Sequence, residues 1–239
     1  MRQTDDVRPR PNDLVAAVVA TVGLIAVWWL LGTAIVHSPT IVDADESVSR
    51  WFADHRNPVA NGLSWVGSEL GDTIVKIVVT LVAAVWAWRR FRRWQEPTMI
   101  VAPLAIEATT FIVVTHLVQR PRPDVRPLES SFVHSSFPSG HVAAAAVYGG
   151  IAMVVAWHTR SDRLRRGVFV TVAVITVAVA LGRLHRGMHH LSDVVAGAVL
   201  GVVCVAVVAA RLRGYVPEAR AARPQPAAAL DDGVNVSPA

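Results

Sequence analysis

The chain has 239 residues, of which 53% are hydrophobic and only 17% charged, a balance that argues against an ordinary soluble domain. Its formal charge of +5 comes almost wholly from arginine, with Lys76 the sole lysine. Set beside apolar runs, such arginines read as topology signals and anionic-lipid contacts, which removes the case for a nucleic-acid partner. Cys204 is the single cysteine, so an intrachain disulfide and a thiolate metal cluster are both excluded.

Taken in order, residues 1–13 form a charged N-terminal segment, followed by an unbroken apolar run over 14–36. That run is too long for a secretory signal and lacks a small-residue cleavage site, so it reads as an uncleaved membrane span. In the next stretch, 43–56, Val48, Trp51, Phe52 and His55 recur at helical spacing. They predict a helix lying in the membrane interface, or one packed over the mouth of a bundle. Further apolar runs cover about 73–88, 97–118, 142–157, 168–181 and 194–210. The expected fold is therefore all-α, a bundle of six membrane spans over 14–213, with the short fifth span completed by its flanks or neighbours. Residues 214–239 turn to Pro, Ala and Asp without periodicity and read as a disordered tail.

Orientation follows from charge. Arg2, Arg8 and Arg10, then Arg89, Arg90, Arg92 and Arg93, then Arg160, Arg163, Arg165 and Arg166, then Arg211 and Arg213 occupy alternate connections. Six spans put all of these on one side, which the positive-inside rule makes cytoplasmic, together with both termini. The remaining loops face outward from the plasma membrane. Those outer loops carry three clusters of polar residues: Arg120-Pro121-Arg122-Pro123, Pro138-Ser139-Gly140-His141, and Arg183 followed by His189 and Asp193.

Each cluster has a chemistry. His189 and Asp193 are four residues apart, so on a helix they share a face; the carboxylate would accept from one imidazole nitrogen and leave the other as nucleophile or base. Ser139 is placed to cap the alanine-rich helix after it, and Gly140 permits close backbone approach. The first-turn amides would then form an anion site, with His141 beside it able to protonate a leaving oxygen. Arg122 and Arg183 offer forked donors suited to phosphoryl oxygens, with Arg120 as a possible third. Together these are parts for binding a phosphate and breaking its ester.

Arg122-Pro123, Pro138-Ser139-Gly140-His141 and Arg183-x5-His189-x3-Asp193 resemble the three signature motifs of the type 2 phosphatidic acid phosphatase (PAP2) family, which shares a superfamily with the vanadium haloperoxidases. The resemblance covers roughly residues 40–210. It implies a six-helix membrane phosphatase needing no metal or other cofactor, in which His189 attacks phosphorus to give a phosphohistidine. By the same resemblance Asp193 orients His189, His141 protonates the leaving group, and Arg122, Arg183, Ser139 and Gly140 cradle the phosphoryl oxygens.

Two positions depart from that pattern. The family's first motif opens with a lysine where this chain has Thr115, followed by His116; the family's serine before the third-motif arginine is Gly182. Candidates to replace the lysine are His116 and, from the second span, Lys76. Glu107 falls near mid-depth in the third span, where an ionisable group needs a partner; a hydrogen bond within the bundle is expected. His134, His185 and His190 are expected to be loop or rim residues.

Three functions compete. The leading one is hydrolysis of a lipid phosphate or pyrophosphate at the outer leaflet, with an isoprenyl pyrophosphate or a phosphatidate-type lipid as substrate. Metal-assisted hydrolysis through His141, His189, Asp193 and His190 is opposed by the arginines, which would repel the ion. A weakened lipid-phosphate binder or transporter is favoured only by Thr115; binding alone needs the arginines but not His189.

Overall fold

The computed structural model describes residues 11–130 and 133–213, so the expected tail at 214–239 and most of the N-terminal segment lie outside the described residues. Nine helices are present among them: α1 (Pro11–Val36), α2 (Pro39–Asp54), α3 (Pro58–Glu69), α4 (Thr73–Phe91), α5 (Gln95–Val118), α6 (Gly140–Val147), α7 (Gly149–His158), α8 (Asp162–His185) and α9 (Leu191–Leu212). Five stretches are long and apolar enough to cross a membrane: 13–36, 95–118, 140–158 (α6 with α7), 162–185 and 191–212. A sixth span arises if α3 and α4, bent by 45° at a short break, are counted as one.

The expected fifth span, read as short, is completed at both ends. Ser161 caps α8 by accepting from the Leu164 amide at 3.2 Å, and the helix runs on through Arg183 to His185. Helix α3 is additional to the expected elements. Asn57 caps it by accepting from the Ala60 amide at 2.9 Å, and Pro58 occupies its first turn, where a missing N–H does no harm.

The amphipathic helix α2 is present with its buried face rotated from the expected one. Asp45 and Ser49 face the bundle, Phe52 packs partly against its core, and Trp51 is turned out. Buried carboxylates and hydroxyls need partners; α2 finds them on α9 and on the loop after α5.

Small residues set the helix spacing around the bundle's centre. A Cβ added to Gly197 would lie 2.4 Å from the Ser139 carbonyl oxygen, and one on Gly201 2.4 Å from that of Ala143. Helices α6 and α9 therefore approach to backbone contact, as small residues allow in membrane bundles. Trp28 of α1 donates its indole N–H to the Ala196 carbonyl at 3.2 Å, tying the first span to the last. Helices α3 and α8 meet at Gly67 and Gly182, where a Cβ on Gly182 would be 2.9 Å from the Ser64 carbonyl oxygen. Serine has no room at 182.

Two backbone turns aim the polar segments. Gln119 closes α5 in the left-handed region (φ 48°) and sends the chain into Arg120. Gly187 (φ 70°) reverses it between α8 and α9, a conformation natural to glycine, so Arg183 and His189 face one space.

Candidate active site

That space is a cavity of about 120 Å³ whose wall includes Arg122, Gly140, His141, Arg183 and His189, with Lys76, Thr73, Phe111, Val133 and Ser135 completing it. Three segments distant in sequence thus converge at one end of the bundle, where α5 ends, α6 begins and α8 turns into α9. Among the described residues no carboxylate is part of this wall; its charge is positive, and it suits an anion.

His189 is 4% exposed, and its Nδ1 lies 2.7 Å from the Ser136 carbonyl oxygen. A carbonyl can only accept, so Nδ1 carries the proton and Nε2 keeps a lone pair. Burial, then the charges of Arg183 and Arg122 and the neighbouring His141, hold the imidazole well below its usual pKa. The ring is neutral over the physiological range, the state a nucleophile requires.

The expected hydrogen bond from His189 to Asp193 is not formed: Asp193 Oδ2 is 3.9 Å from His189 Nδ1. Asp193 is instead fully occupied. Its Oδ1 accepts from Arg120 at 2.5 Å, while Oδ2 accepts from the His190 amide at 2.8 Å and lies 3.2 Å from His190 Nδ1. The side chain closes the first turn of α9 on itself, which is why it points at residue 190 rather than 189.

Arg120, expected as a third phosphoryl donor, is committed to carboxylates instead. It is 3% exposed and bridges Asp193 and Asp45, whose Oδ2 is 2.7 Å away. Asp45 also accepts from the Ser192 hydroxyl at 2.5 Å and from the Ser192 amide at 3.0 Å. Burial alone would raise the Asp45 pKa, but hydrogen bonds from Arg120 and Ser192 outweigh it and hold the carboxyl below its usual value. His190, expected as a rim residue, is buried between Asp193 and Glu46, with Nε2 3.0 Å from Glu46. Burial opposes its protonation, yet the hydrogen bond and charge of Asp193 raise its pKa. This network of Asp45, Glu46, Arg120, His190 and Asp193 was missed in sequence, although Asp45, Ser49 and Phe52 stand at helical spacing and signal a polar inner face on α2.

The two forked arginines of the cavity are braced. Arg122 donates to the Met188 carbonyl at 2.5 Å and to that of Val133 at 2.8 Å. Burial and the charge of Arg183 lower its pKa, a stress that a bound anion would relieve. Arg183 donates to Ser68 at 2.7 Å and contacts Glu129, whose other oxygen accepts from Arg186 at 2.6 Å. Ser68, on α3, gives Arg183 a hydroxyl partner in a site whose motif serine is replaced by Gly182. Neither Ser68 nor Glu129 carried a sequence signal.

Gly140 lines the cavity with no room for a Cβ, which would lie 2.9 Å from the Phe111 ring. Ser139 stands at the N-cap of α6 but, against expectation, its side chain makes no capping bond; its hydroxyl is fully buried and unpartnered. The Ser139 amide donates to the Asp193 carbonyl at 3.0 Å, locking the second cluster to the third. Of the remaining accessory candidates, Lys76 lines the cavity. Thr115 turns its hydroxyl back onto the Phe111 and Ile112 carbonyls at 2.9 Å each, and His116 lies 2.7 Å from the Ile112 carbonyl on an exposed face. Glu107 pairs by charge with Lys76 at 3.9 Å rather than through the expected hydrogen bond. Among the described residues no group of three or more His, Cys, Asp or Glu side chains converges as a metal site.

The family model of the PAP2 superfamily matches residues 97–215. The chain is 30% identical over 182 residues to phosphatidylglycerophosphatase B of Bacillus subtilis, covering 74% of this chain and 87% of that protein. A second relative, YbjG of Escherichia coli, carries a name proposing undecaprenyl-diphosphatase activity; it is 25% identical over 138 residues, 56% of this chain and 66% of that protein. The fold matches the crystal structure of a transmembrane PAP2-type phosphatidylglycerolphosphate phosphatase from Bacillus subtilis with a TM-score of 0.73 and 25% identity, over 81% of this chain and 96% of that one. The chain is thus a multi-pass, all-α membrane protein and belongs to the PAP2 superfamily.

Proposed function

We propose that the chain is a lipid phosphate phosphatase that works through a covalent phosphohistidine and without a metal ion. The observation that carries this reading is His189: buried, neutral, with Nδ1 committed to the Ser136 carbonyl, on the wall of a cavity shared with Arg122, Arg183 and His141. Nε2 attacks phosphorus while Arg122, Arg183 and the first-turn amides of α6 hold the equatorial oxygens as charge develops. His141 gives a proton to the departing lipid oxygen and later takes one from the water that hydrolyses the phosphohistidine. Asp193 supports this indirectly, by anchoring the start of α9. The cluster of cations around His141 and His189 opposes a divalent ion at the same place.

Substrate and side follow from chemistry of the surroundings. Exposed apolar side chains line the spans, so a lipid tail remains in the bilayer while its phosphate enters the cavity. The arginine-rich connections at the opposite helix ends support a cytoplasmic position for that end and an outer-leaflet position for the cavity. One candidate class is a phosphomonoester of the phosphatidate type, with phosphatidylglycerophosphate the member that the first relative's name gives; the other is an isoprenyl diphosphate, as in the second relative's name.

Phosphate release from a panel of both lipid classes, by detergent-solubilised protein in excess chelator, tests the proposal. Release that depends on His189 and survives chelation is expected. Equal rates from wild type and His189→Ala would leave a lipid-phosphate binder or transporter as the better reading.

A further inference from the structure

The chain's only lysine lies on the wall of the cavity although no motif places it there. Lys76 sits one turn into α4, after the Asp72 carboxylate caps that helix by accepting from the Ile74 amide at 2.8 Å. The break before α4 brings it close: a Cβ on Gly71 would lie 2.6 Å from the His141 carbonyl oxygen. The start of α4 is thereby pressed against the first turn of α6, and the Lys76 side chain, 12% exposed, joins Arg122, Arg183, His141 and His189 around one space.

Its counter-charge is unusual. Glu107 of α5 is fully buried, and neither of its carboxylate oxygens has a hydrogen-bond partner. Lys76 Nζ is 3.9 Å from Oε2, close enough for attraction but too far for a hydrogen bond. An ammonium has three donors and no acceptor; this pair leaves them unspent and directed by charge alone. At the position where the family motif carries its lysine, Thr115 is bonded to its own helix.

We infer that Lys76 is a phosphate-binding cation of this site, delivered from α4 in place of the lysine missing at 115, and that Glu107 holds its ammonium at the cavity wall until an anion arrives. The inference rests on the phosphatase reading above. Lysine suits this role, because a compact charge on a flexible four-carbon stem can leave a loose partner for a phosphoryl oxygen.

The test uses Lys76→Met, Glu107→Gln and the double variant, with His189→Ala as reference. Turnover of a short-chain phosphatidate and inhibition by orthovanadate are measured alongside thermal unfolding. Lys76→Met is expected to lose kcat/KM on the order of a hundredfold, the usual effect of removing one donor to developing charge, and to weaken orthovanadate inhibition about tenfold. The double variant, with the buried pair neutralised, remains as poor as Lys76→Met, and Lys76→Arg recovers part of the loss. If Lys76 only neutralised Glu107, the double variant would return to wild-type rates, and the inference would fall. It falls equally if Lys76→Met stays within about twofold of wild type in both readouts. Should Lys76→Met not fold because Glu107 is left unpaired, the double variant carries the test. Absence of His189-dependent turnover in the wild type would sink the phosphatase reading instead. Orthovanadate stabilising the wild type, but not the double variant, against heat then still decides for Lys76, and equal stabilisation decides against it.

Discussion

His189 and Asp193 stand four residues apart, yet the imidazole Nδ1 donates to the Ser136 carbonyl at 2.7 Å while the carboxylate lies 3.9 Å off, held by Arg120 and His190. Two roles often joined in one carboxylate are divided. The loop before α6 fixes the tautomer of His189, and Asp193 anchors the start of α9, directly after the turn that carries His189.

That division predicts how Asp193 and Arg120 fail. Asp193→Asn leaves the Ser136 contact in place, so the pH dependence of kcat/KM keeps its shape while the rate and the unfolding temperature both drop. Arg120→Met is harsher, because two buried carboxylates, Asp45 and Asp193, lose their shared cation; about 3 kcal/mol of stability is expected to go. Thermal unfolding of both variants measures the order. A pH profile in Asp193→Asn shifted as if His189 had lost its orienting partner would contradict the division.

Arg122→Gln is predicted to move the acid limb of kcat/KM to higher pH. His189 has a depressed pKa, partly because of the Arg122 charge; the neutral, reactive form therefore persists as pH falls below the usual histidine range. Taking away one neighbouring cation raises that pKa, so protonation begins earlier on acidification. Wild type and variant compared on the same substrate cancel the titration of the substrate phosphate. An acid limb that stays put in Arg122→Gln would remove this electrostatic coupling.

His190 gives a pH effect on stability of the opposite sign. Its pKa is raised by Asp193 and Glu46, so the folded state binds the proton more tightly than the unfolded chain. The stabilisation is complete below about pH 6.5, the ordinary histidine pKa, and is lost as pH rises through the raised value. Between pH 6 and pH 9 the unfolding temperature of wild type should fall more than that of His190→Gln. Parallel falls would show that the clamp of α2 on α9 does not depend on the imidazolium.

Gly197→Ala should separate α6 from α9. Its Cβ would meet the Ser139 carbonyl at 2.4 Å, backbone against side chain with no flexible tip to yield, and overpacking of this kind costs about 1–3 kcal/mol. Because Ser139 adjoins Gly140 and His141, activity falls along with stability. Gly23→Ala, where nothing lies within 4 Å, is the matched control and should behave as wild type.

Much of this architecture was legible because the bilayer writes it plainly: runs of apolar residues near 20 long mark spans, and arginine marks one face. The polar residues at helix ends read as one site for the same reason, since alternate connections of a six-span bundle must meet at one end. What could not be read depends on register and backbone approach. Helix α3 hides behind a mixed sequence and a break at Gly71. The inward face of α2 is polar, with Asp45 and Ser49 inside and Trp51 out, because it docks on charged partners rather than on an apolar core. Ser68 and Glu129 reach Arg183 only through the α3–α8 contact and the loop after α5, and the preference of His189 for a carbonyl over Asp193 is a matter of ångströms that spacing does not encode.

Attack at phosphorus by His189 Nε2 is tested most directly by the stereochemical course of hydrolysis. A lipid phosphate made chiral at phosphorus with sulfur and oxygen isotopes, hydrolysed in isotopically labelled water, should yield inorganic product with retained configuration, because displacement by the imidazole and then by water inverts phosphorus twice. Net inversion would mean that water attacks the ester directly, with His189 acting as a base at most.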